Sequence, residues 1–479
     1  MTRQSIAVVC AVCLAAGAAP ARVDFDAYFT GRTLRVDLYH TGTKGEEHIA
    51  LDRSYLEGPW SGHRVNLIDT LNLGEYLLTV TDRATNAPLY SRGYSTMFNE
   101  WQTTDEALAG VTRTFAESVR FPAPRRSVRI AVARRDRRME FHEVFAAVID
   151  PADPAQIVGE HARIAPNVAA IVQNGPPAVK VDIAILGDGY AAADMDKFRR
   201  DVARFTNDLF RTRPFSGRKG DFNVWRVDVV SEESGIDIPG HGVWRRHALG
   251  ARYDTFGSAR YVLTEDNRAV RDAAAAAPYD FLCILVNDSR YGGGGIYNLY
   301  ATTYTNELTA DQQWQMDYVF VHEFGHSFAG LADEYYTSST ATNDFYLPGV
   351  EPWEPNITAA RGAEGLKWRT LLTAGVPLPT PWGKVAYDSL EALRGKLDRL
   401  AADYYVKREP FARKEAEILA SSPYRGDVGL FEGAGYVAQG LYRPSVDCRM
   451  FSLSLADFDP VCSAAINRMI DFYSDPAQR

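Results

Sequence analysis

Residues 316–336, MDYVFVHEFGHSFAGLADEYY, constrain the fold of this chain more than any other segment. Apolar side chains recur there at three- and four-residue spacing, which predicts a helix with a buried face. His322 and His326 are four residues apart, so both imidazoles project from one side of that helix and can reach a single Zn²⁺ ion. The segment therefore predicts a metal centre built on a core helix.

Glu323 follows the first of these histidines and stands one helical step further round. A carboxylate in that position lies close to a metal-bound water and can accept its proton. The ion itself lowers the pKa of the water and polarises a carbonyl substrate. The three residues together predict a hydrolytic site in which Glu323 is the general base.

A catalytic zinc site needs a third protein ligand and an open position. Gly330 can end the helix in a left-handed conformation, after which the chain turns back toward the metal. Asp333 is the expected third ligand and Glu334 is the alternative, because the sequence alone does not orient two adjacent side chains. The acid that is not a ligand is expected to accept a hydrogen bond near the site or to cap a helix.

Residues 1–21 have the pattern of a secretory signal: Arg3, an apolar run over residues 6–16, and then Ala-Pro-Ala. The run is too short to span a bilayer, and no other stretch approaches the necessary length. The sequence thus predicts a protein exported to the medium, the periplasm or the cell surface, without a transmembrane segment. Lipid attachment at Cys10 or Cys13 is the alternative. A formal net charge of −9 argues against nucleic acid as a partner.

The remaining chain divides by its hydrophobic patterning. Residues 22–150 alternate with period two between frequent turns, which predicts a small antiparallel β-sandwich-like domain. Residues 151–178 are rich in Pro and Ala and are expected to be a linker. Strand and helix patterns then alternate over residues 179–479, which predicts a mixed α/β (α+β) domain with a helical insertion at about 385–421.

Removal of the leader would leave three cysteines. Cys283 lies within an apolar run and is expected to be a buried strand residue. Cys448 and Cys462 are 14 residues apart, so a local disulfide is plausible in an oxidising compartment.

The segment that begins at His322 resembles the metzincin clan of zinc endopeptidases, although Gly330 and Asp333 each fall one residue later than that pattern places them. It is more similar to the IgA-peptidase-type metallopeptidase family, in which His-Glu-x-Gly-His is followed by Leu-x-Asp-Glu-Tyr. Further motifs similar to that family lie at residues 185–190, 353–358 and 442–450. The resemblance covers about residues 179–475, and a preceding β domain is also the family's usual arrangement.

The resemblance implies a metzincin-like zinc endopeptidase that acts on a protein or peptide. It also implies that Met450 lies beneath the metal and that residues 292–304 form an edge strand that pairs with an extended substrate. Tyr335 and Tyr336 are candidates to donate a hydrogen bond to the oxyanion. Two alternatives stay open: a zinc amide hydrolase that acts on cell-wall linkages, and a non-catalytic attachment protein on a peptidase fold. The natural substrate and the oligomeric state do not follow from the sequence.

Overall fold

The computed structural model of the chain describes residues 22–158, 167–305, 310–337, 345–397, 404–453 and 457–474. The predicted signal peptide lies outside the described residues. Among the residues that are described, no helix is both long enough and apolar enough to cross a membrane.

The N-terminal region, residues 22–158, is built mainly from antiparallel strands. In chain order its elements are α1 (Phe25–Tyr28), β1 (Phe29–Gly42), β2 (Glu47–Pro59), β3 (Tyr76–Asp82), β4 (Pro88–Tyr94), α2 (Met97–Gln102), α3 (Asp105–Leu108), β5 (Arg113–Pro124), β6 (Val128–Arg135), β7 (Phe141–Ile149) and β8 (Ile157–Val158).

These strands form two four-stranded sheets, with the orders β5-β1-β2-β8 and β4-β3-β6-β7. Strand β3 shows why one face of its sheet is apolar: Tyr76, Leu78 and Val80 are buried, and the residues between them are partly exposed. Side chains from both sheets, such as Val36 of β1 and Ile130 of β6, belong to one hydrophobic core.

The second region contains a larger sheet and the long helices. Its elements are β9 (Asn167–Val172), β10 (Val181–Asp188), α4 (Met195–Leu209), β11 (Phe222–Asp228), β12 (Ala251–Arg252), β13 (Leu263–Thr264), α5 (Asn267–Ala274), β14 (Phe281–Val286), β15 (Gly293–Ile296), β16 (Tyr300–Tyr304), α6 (Ala310–Ala329), α7 (Lys384–Arg394), α8 (Tyr404–Ala420), β17 (Phe431–Ala434), β18 (Val437–Arg443) and α9 (Pro460–Ser474).

The main sheet has six strands in the order β15-β16-β14-β10-β11-β9. Its central strands are parallel, and every residue of β10 and β14 is buried, as expected for strands covered on both faces. Cys283 lies in β14 and is buried, which confirms the sequence prediction. The edge strand β9 falls within the range that was predicted to be a linker, so that range also supplies a strand to the sheet.

Aromatic contacts place α6 against the sheet and against α4. Phe328 of α6 packs on Phe281 of β14 with ring centroids 4.7 Å apart, and Phe320 packs on Phe205 of α4 at 4.9 Å. Burial of each such side chain contributes about 1.5–3 kcal/mol, so the helix that carries both histidines is held firmly by the core.

The two regions share apolar core. Phe98, Trp101 and Phe115 of the N-terminal region are fully buried in the same hydrophobic cluster as the residues of β10, β14 and α6. Polar contacts reinforce this junction: Arg92 Nη2 donates to Tyr473 Oη of α9 at 2.8 Å, and Asn298 Nδ2 donates to the Gly93 carbonyl at 3.0 Å. The N-terminal region is therefore packed into the larger region and not merely tethered to it.

Candidate metal centre

Helix α6 carries the three residues predicted to do the chemistry, and Gly330 ends it. Gly330 has φ +62°, a left-handed conformation that favours glycine. A Cβ at this position would also come within 2.8 Å of the Trp353 ring. The chain then turns back and is held by Asn356, whose side chain accepts a hydrogen bond from the Ala332 amide at 2.8 Å and donates to the Ala332 carbonyl at 2.9 Å.

This turn brings the side chain of Asp333 to both histidines. Asp333 Oδ1 lies 3.0 Å from His322 Nε2 and 3.2 Å from His326 Nε2, and the two Nε2 atoms are 3.2 Å apart. Donor atoms about 2.0–2.1 Å from a tetrahedral zinc ion are roughly 3.3 Å from one another. The spacing of these three atoms therefore fits a shared ion.

The outer atoms of the three side chains are held by hydrogen bonds. His322 Nδ1 lies 3.1 Å from the Arg449 carbonyl oxygen, His326 Nδ1 contacts the Leu331 carbonyl oxygen, and Tyr436 Oη donates to Asp333 Oδ2. A carbonyl only accepts hydrogen bonds, so each Nδ1 carries a proton, and each Nε2 faces inward, where it can bind an ion or take a second proton. If neither Nε2 is protonated, two lone pairs and a carboxylate oxygen face one another and repel, so a cation or a proton is needed between them.

Electrostatics favour the charged forms of Asp333 and His326. Burial alone would raise the pKa of Asp333, but His326 and His322 hold that pKa well below its usual range. Burial alone would lower the pKa of His326, and the contact with Asp333 instead raises it to about 9. Burial raises the pKa of Glu323, a direction that suits a base working near neutral pH.

Strand β15 passes directly over the helix beside Glu323. A Cβ on Gly295 would lie 2.2 Å from the Glu323 carbonyl oxygen and 3.0 Å from His326 Cβ, so only glycine permits this approach. Gly293 exchanges backbone hydrogen bonds with Arg260 and Val262 at 3.1 and 3.2 Å, on the side away from β16. The edge strand anticipated from the sequence is thus beside the candidate metal centre, but its first part is already paired.

The structure separates the two acids that the sequence could not distinguish. Asp333 faces the histidines, whereas Glu334 Oε1 faces away and accepts a hydrogen bond from Asn356 Nδ2 at 3.0 Å. Met450 is fully buried under α6, with its sulfur 3.3 Å from the point where a Cβ on Gly325 would be. Its carbonyl accepts a hydrogen bond from the Glu334 amide at 2.8 Å.

The two tyrosines considered as oxyanion donors lie in different places. Tyr335 lines the cleft, with its ring stacked toward that of His322 at 6.4 Å between centroids. Tyr336 is directed elsewhere and donates to Asp388 Oδ1 at 2.5 Å. Tyr436, which the sequence did not single out, donates a hydrogen bond to Asp333, and the Tyr335 hydroxyl also lies within hydrogen-bonding reach of that carboxylate. No local motif around Tyr436 signals its contact.

The N-terminal region forms part of the cleft wall facing α6. Glu75 and Glu100 line the same cleft as the histidines. Glu75 accepts a hydrogen bond from Trp353 Nε1 at 2.7 Å, and Glu100 accepts one from Tyr261 Oη at 3.0 Å. Burial raises the pKa of Glu100 to about 7. The cleft is therefore a joint product of both regions.

Comparison with known families gives two matches along the chain. The sequence model of the family described as IgA Peptidase M64 matches residues 169–470. The model described as Peptidase M64 N-terminus matches residues 24–146. No curated protein matches the chain.

Proposed function

Because the chain belongs to the IgA peptidase M64 family and is thereby a metallopeptidase, we propose that it is a secreted, zinc-dependent endopeptidase of metzincin-like fold. The observation that carries this proposal is the convergence of His322, His326 and Asp333 beside Glu323 in one cleft. Catalysis would reside in residues 179–479, with the helical insertion at about 385–421. The β-sandwich-like residues 22–150 would form the opposite wall, and residues 151–178 would connect the two.

His322, His326 and Asp333 would hold the zinc ion. When bound, Zn²⁺ lowers the pKa of a water molecule and polarises the scissile carbonyl. The Glu323 carboxylate would accept the proton of the attacking water and then deliver it to the leaving amine. Burial of Glu323 in the cleft supports both steps, because it raises the pKa of this carboxyl toward the pH at which the group must accept and then release a proton.

The shape of the cleft favours a peptide over a small cell-wall amide. The cleft extends from Glu323 past β15 to Ser95 and Asn99 of the N-terminal region, and an extended chain could lie along it. A substrate strand pairing with β15 would have to pair beyond Gly293, whose outer hydrogen bonds are taken. The intact constellation around Glu323 also argues against a purely adhesive role.

The decisive experiment compares the wild type with Glu323→Gln, which preserves shape and removes the base. We expect both proteins to contain zinc by elemental analysis, and the variant to cleave unfolded casein about 10²–10⁴-fold more slowly. Glu143→Gln is the matched control, because Glu143 pairs with Arg129 at the surface of β7. Cleavage by Glu323→Gln at the wild-type rate would contradict the assigned base. Cleavage of peptidoglycan amides but not of casein would favour the amide-hydrolase alternative.

Export has its own test. If residues 1–21 are a signal peptide, expression of the full chain in a bacterium with a secretion pathway should yield a protein outside the cytoplasm whose first residue is Arg22. Recovery of an uncleaved cytoplasmic chain would contradict export while leaving the proposed chemistry intact.

A further inference from the structure

A second group of metal-ligand side chains lies behind the turn that contains Met450. It consists of Glu334, Cys448, Asp459 and Cys462, here called the thiol–carboxylate cluster. All four residues are buried, and one ligand atom from each lies within 4.8 Å of those of the others. The cluster joins the segment after α6, the Met450 turn and the start of α9, and it is separate from the group around His322.

The sulfur atoms have the spacing of two zinc ligands. Cys448 Sγ and Cys462 Sγ are free thiols 3.8 Å apart, and Cys462 Sγ is 3.2 Å from Glu334 Oε1. Two sulfurs bonded to a tetrahedral zinc at about 2.3 Å are roughly 3.8 Å apart. The disulfide considered from the sequence is therefore not formed in this structure, and the distance matches coordination instead.

One oxygen of each buried carboxyl in the cluster lacks a hydrogen-bond donor. Within the described residues, neither Glu334 Oε2 nor Asp459 Oδ2 has a hydrogen-bond partner. The two carboxyls lie within hydrogen-bonding reach of each other, so a shared proton or a cation is needed to offset their repulsion. The nearby guanidinium of Arg443 donates instead to the Gly433 and Val446 carbonyls.

Two backbone amides are directed at the sulfur of Cys448. Its sulfur accepts hydrogen bonds from the backbone amides of Met450 and Asp459, both at 3.4 Å. The other oxygen of the Asp459 carboxylate accepts from the Val461 and Cys462 amides at 2.7 and 2.9 Å, which fixes that carboxylate at the first turn of α9. Amide donors of this kind stabilise negative charge on the sulfur and the carboxylate.

We propose that Glu334, Cys448, Asp459 and Cys462 form a second, structural zinc site. Four protein ligands leave no open position, as in structural zinc sites. Binding displaces the thiol protons of both cysteines and any proton shared by the carboxyl pair. The ion would tie the Met450 turn to α9 and to the residue that follows Asp333. The neighbouring Arg449 carbonyl contacts His322 Nδ1, so the second site would help to position the first.

The test counts metal in the full mature protein, with and without each site. We expect wild type to hold about two zinc ions per chain. We expect the double variant His322→Ala/His326→Ala to retain about one zinc ion, because it leaves the thiol–carboxylate cluster intact. The double variant Cys448→Ser/Cys462→Ser should also retain about one zinc ion. The variant with all four changes should retain about none. Cys283→Ser is the matched control, because that buried thiol lies in β14, outside the cluster. Its loss should leave the zinc content unchanged.

A spectroscopic measurement identifies the ligands independently of activity. Cobalt(II) added to metal-free His322→Ala/His326→Ala should give thiolate-to-cobalt charge-transfer absorption, and Glu334→Gln/Asp459→Asn in that background should weaken cobalt binding by at least about tenfold. The Glu334→Gln/Asp459→Asn substitutions provide the test of the cluster if the cysteine variants do not fold. Two results would overturn the proposal. One is a folded His322→Ala/His326→Ala protein that contains no zinc. The other is a Cys448–Cys462 disulfide, detected by mass spectrometry in exported protein that was alkylated without reductant. Neither depends on whether the protein cleaves peptides.

Discussion

Replacing Tyr436 by Phe should weaken metal binding at the candidate centre without altering any ligand. The Tyr436 hydroxyl donates to Asp333 Oδ2, and Asp333 is only 7% exposed, so little solvent is available to replace the lost donor. The Tyr335 hydroxyl, which is also within hydrogen-bonding reach of Asp333, stays in the variant. Removing a hydrogen bond to a buried charged group costs about 1.5–3 kcal/mol. Since about 1.4 kcal/mol corresponds to a factor of ten, we expect zinc affinity to fall by roughly 10- to 100-fold.

The assay equilibrates the protein with chelators of graded zinc affinity and follows zinc retention together with peptide cleavage, which separates this centre from the thiol–carboxylate cluster. Tyr346→Phe is the matched control: Tyr346 lines the same cleft and its hydroxyl donates to Glu354 Oε1 at 2.8 Å, away from Asp333. Affinity within about twofold of wild type for Tyr436→Phe, or an equal fall for Tyr346→Phe, would refute the reasoning.

Three further predictions concern the fold and its response to pH. Gly295→Ala should abolish cleavage and lower the melting temperature, because a Cβ there lies 2.2 Å from the Glu323 carbonyl oxygen. Gly217→Ala is the control and should be nearly neutral, because Gly217 has open space around it. A fully active Gly295→Ala protein would contradict the close approach of β15 to α6. Phe98→Ala should cost about 3–5 kcal/mol and shift one common unfolding transition measured by calorimetry; two separate transitions would show that the regions unfold independently. Burial alone would lower the pKa of His40, but Glu117 and Glu47 raise it to about 9, so the stability from this imidazolium is complete below about pH 6.5 and is lost as the pH rises through about 9. Melting temperatures should fall over that range, and His40→Gln should flatten the profile; an unchanged slope would contradict the ion pair.

Elements with strong local patterning were predictable from the sequence. The apolar run that contains Cys283 forms β14, and the strand and helix patterns predicted after residue 179 are found as β10, α4 and β11. The apolar spacing around His322 and His326 predicted a helix, and Gly330 ends it with the expected left-handed conformation. These features depend on periodicity and on the conformational freedom of glycine, both of which are visible in a short stretch of sequence.

Contacts between distant segments were not predictable. The Arg449 carbonyl holds His322, but a backbone carbonyl carries no residue identity that a sequence could reveal. Tyr436 reaches Asp333 across 103 residues of chain. The spacing of Cys448 and Cys462 indicated their proximity correctly. Asp459 lies between them in the sequence, whereas Glu334 reaches them from the segment after α6, and the two carboxyls together are the reason that we propose a metal site and not a disulfide.

The joint construction of the cleft has a consequence for how such proteins diversify. Residues that would hold the ion lie on α6 and the segment after it, whereas Glu75 reaches the cleft from the bend just before β3 and Glu100 from α2. For the proposed endopeptidase, changes in that N-terminal wall would therefore alter which peptide sequences are accepted without altering the residues that hold the ion. Two homologues with identical metal helices would then differ in selectivity, and exchanging their N-terminal segments would transfer preference from one to the other.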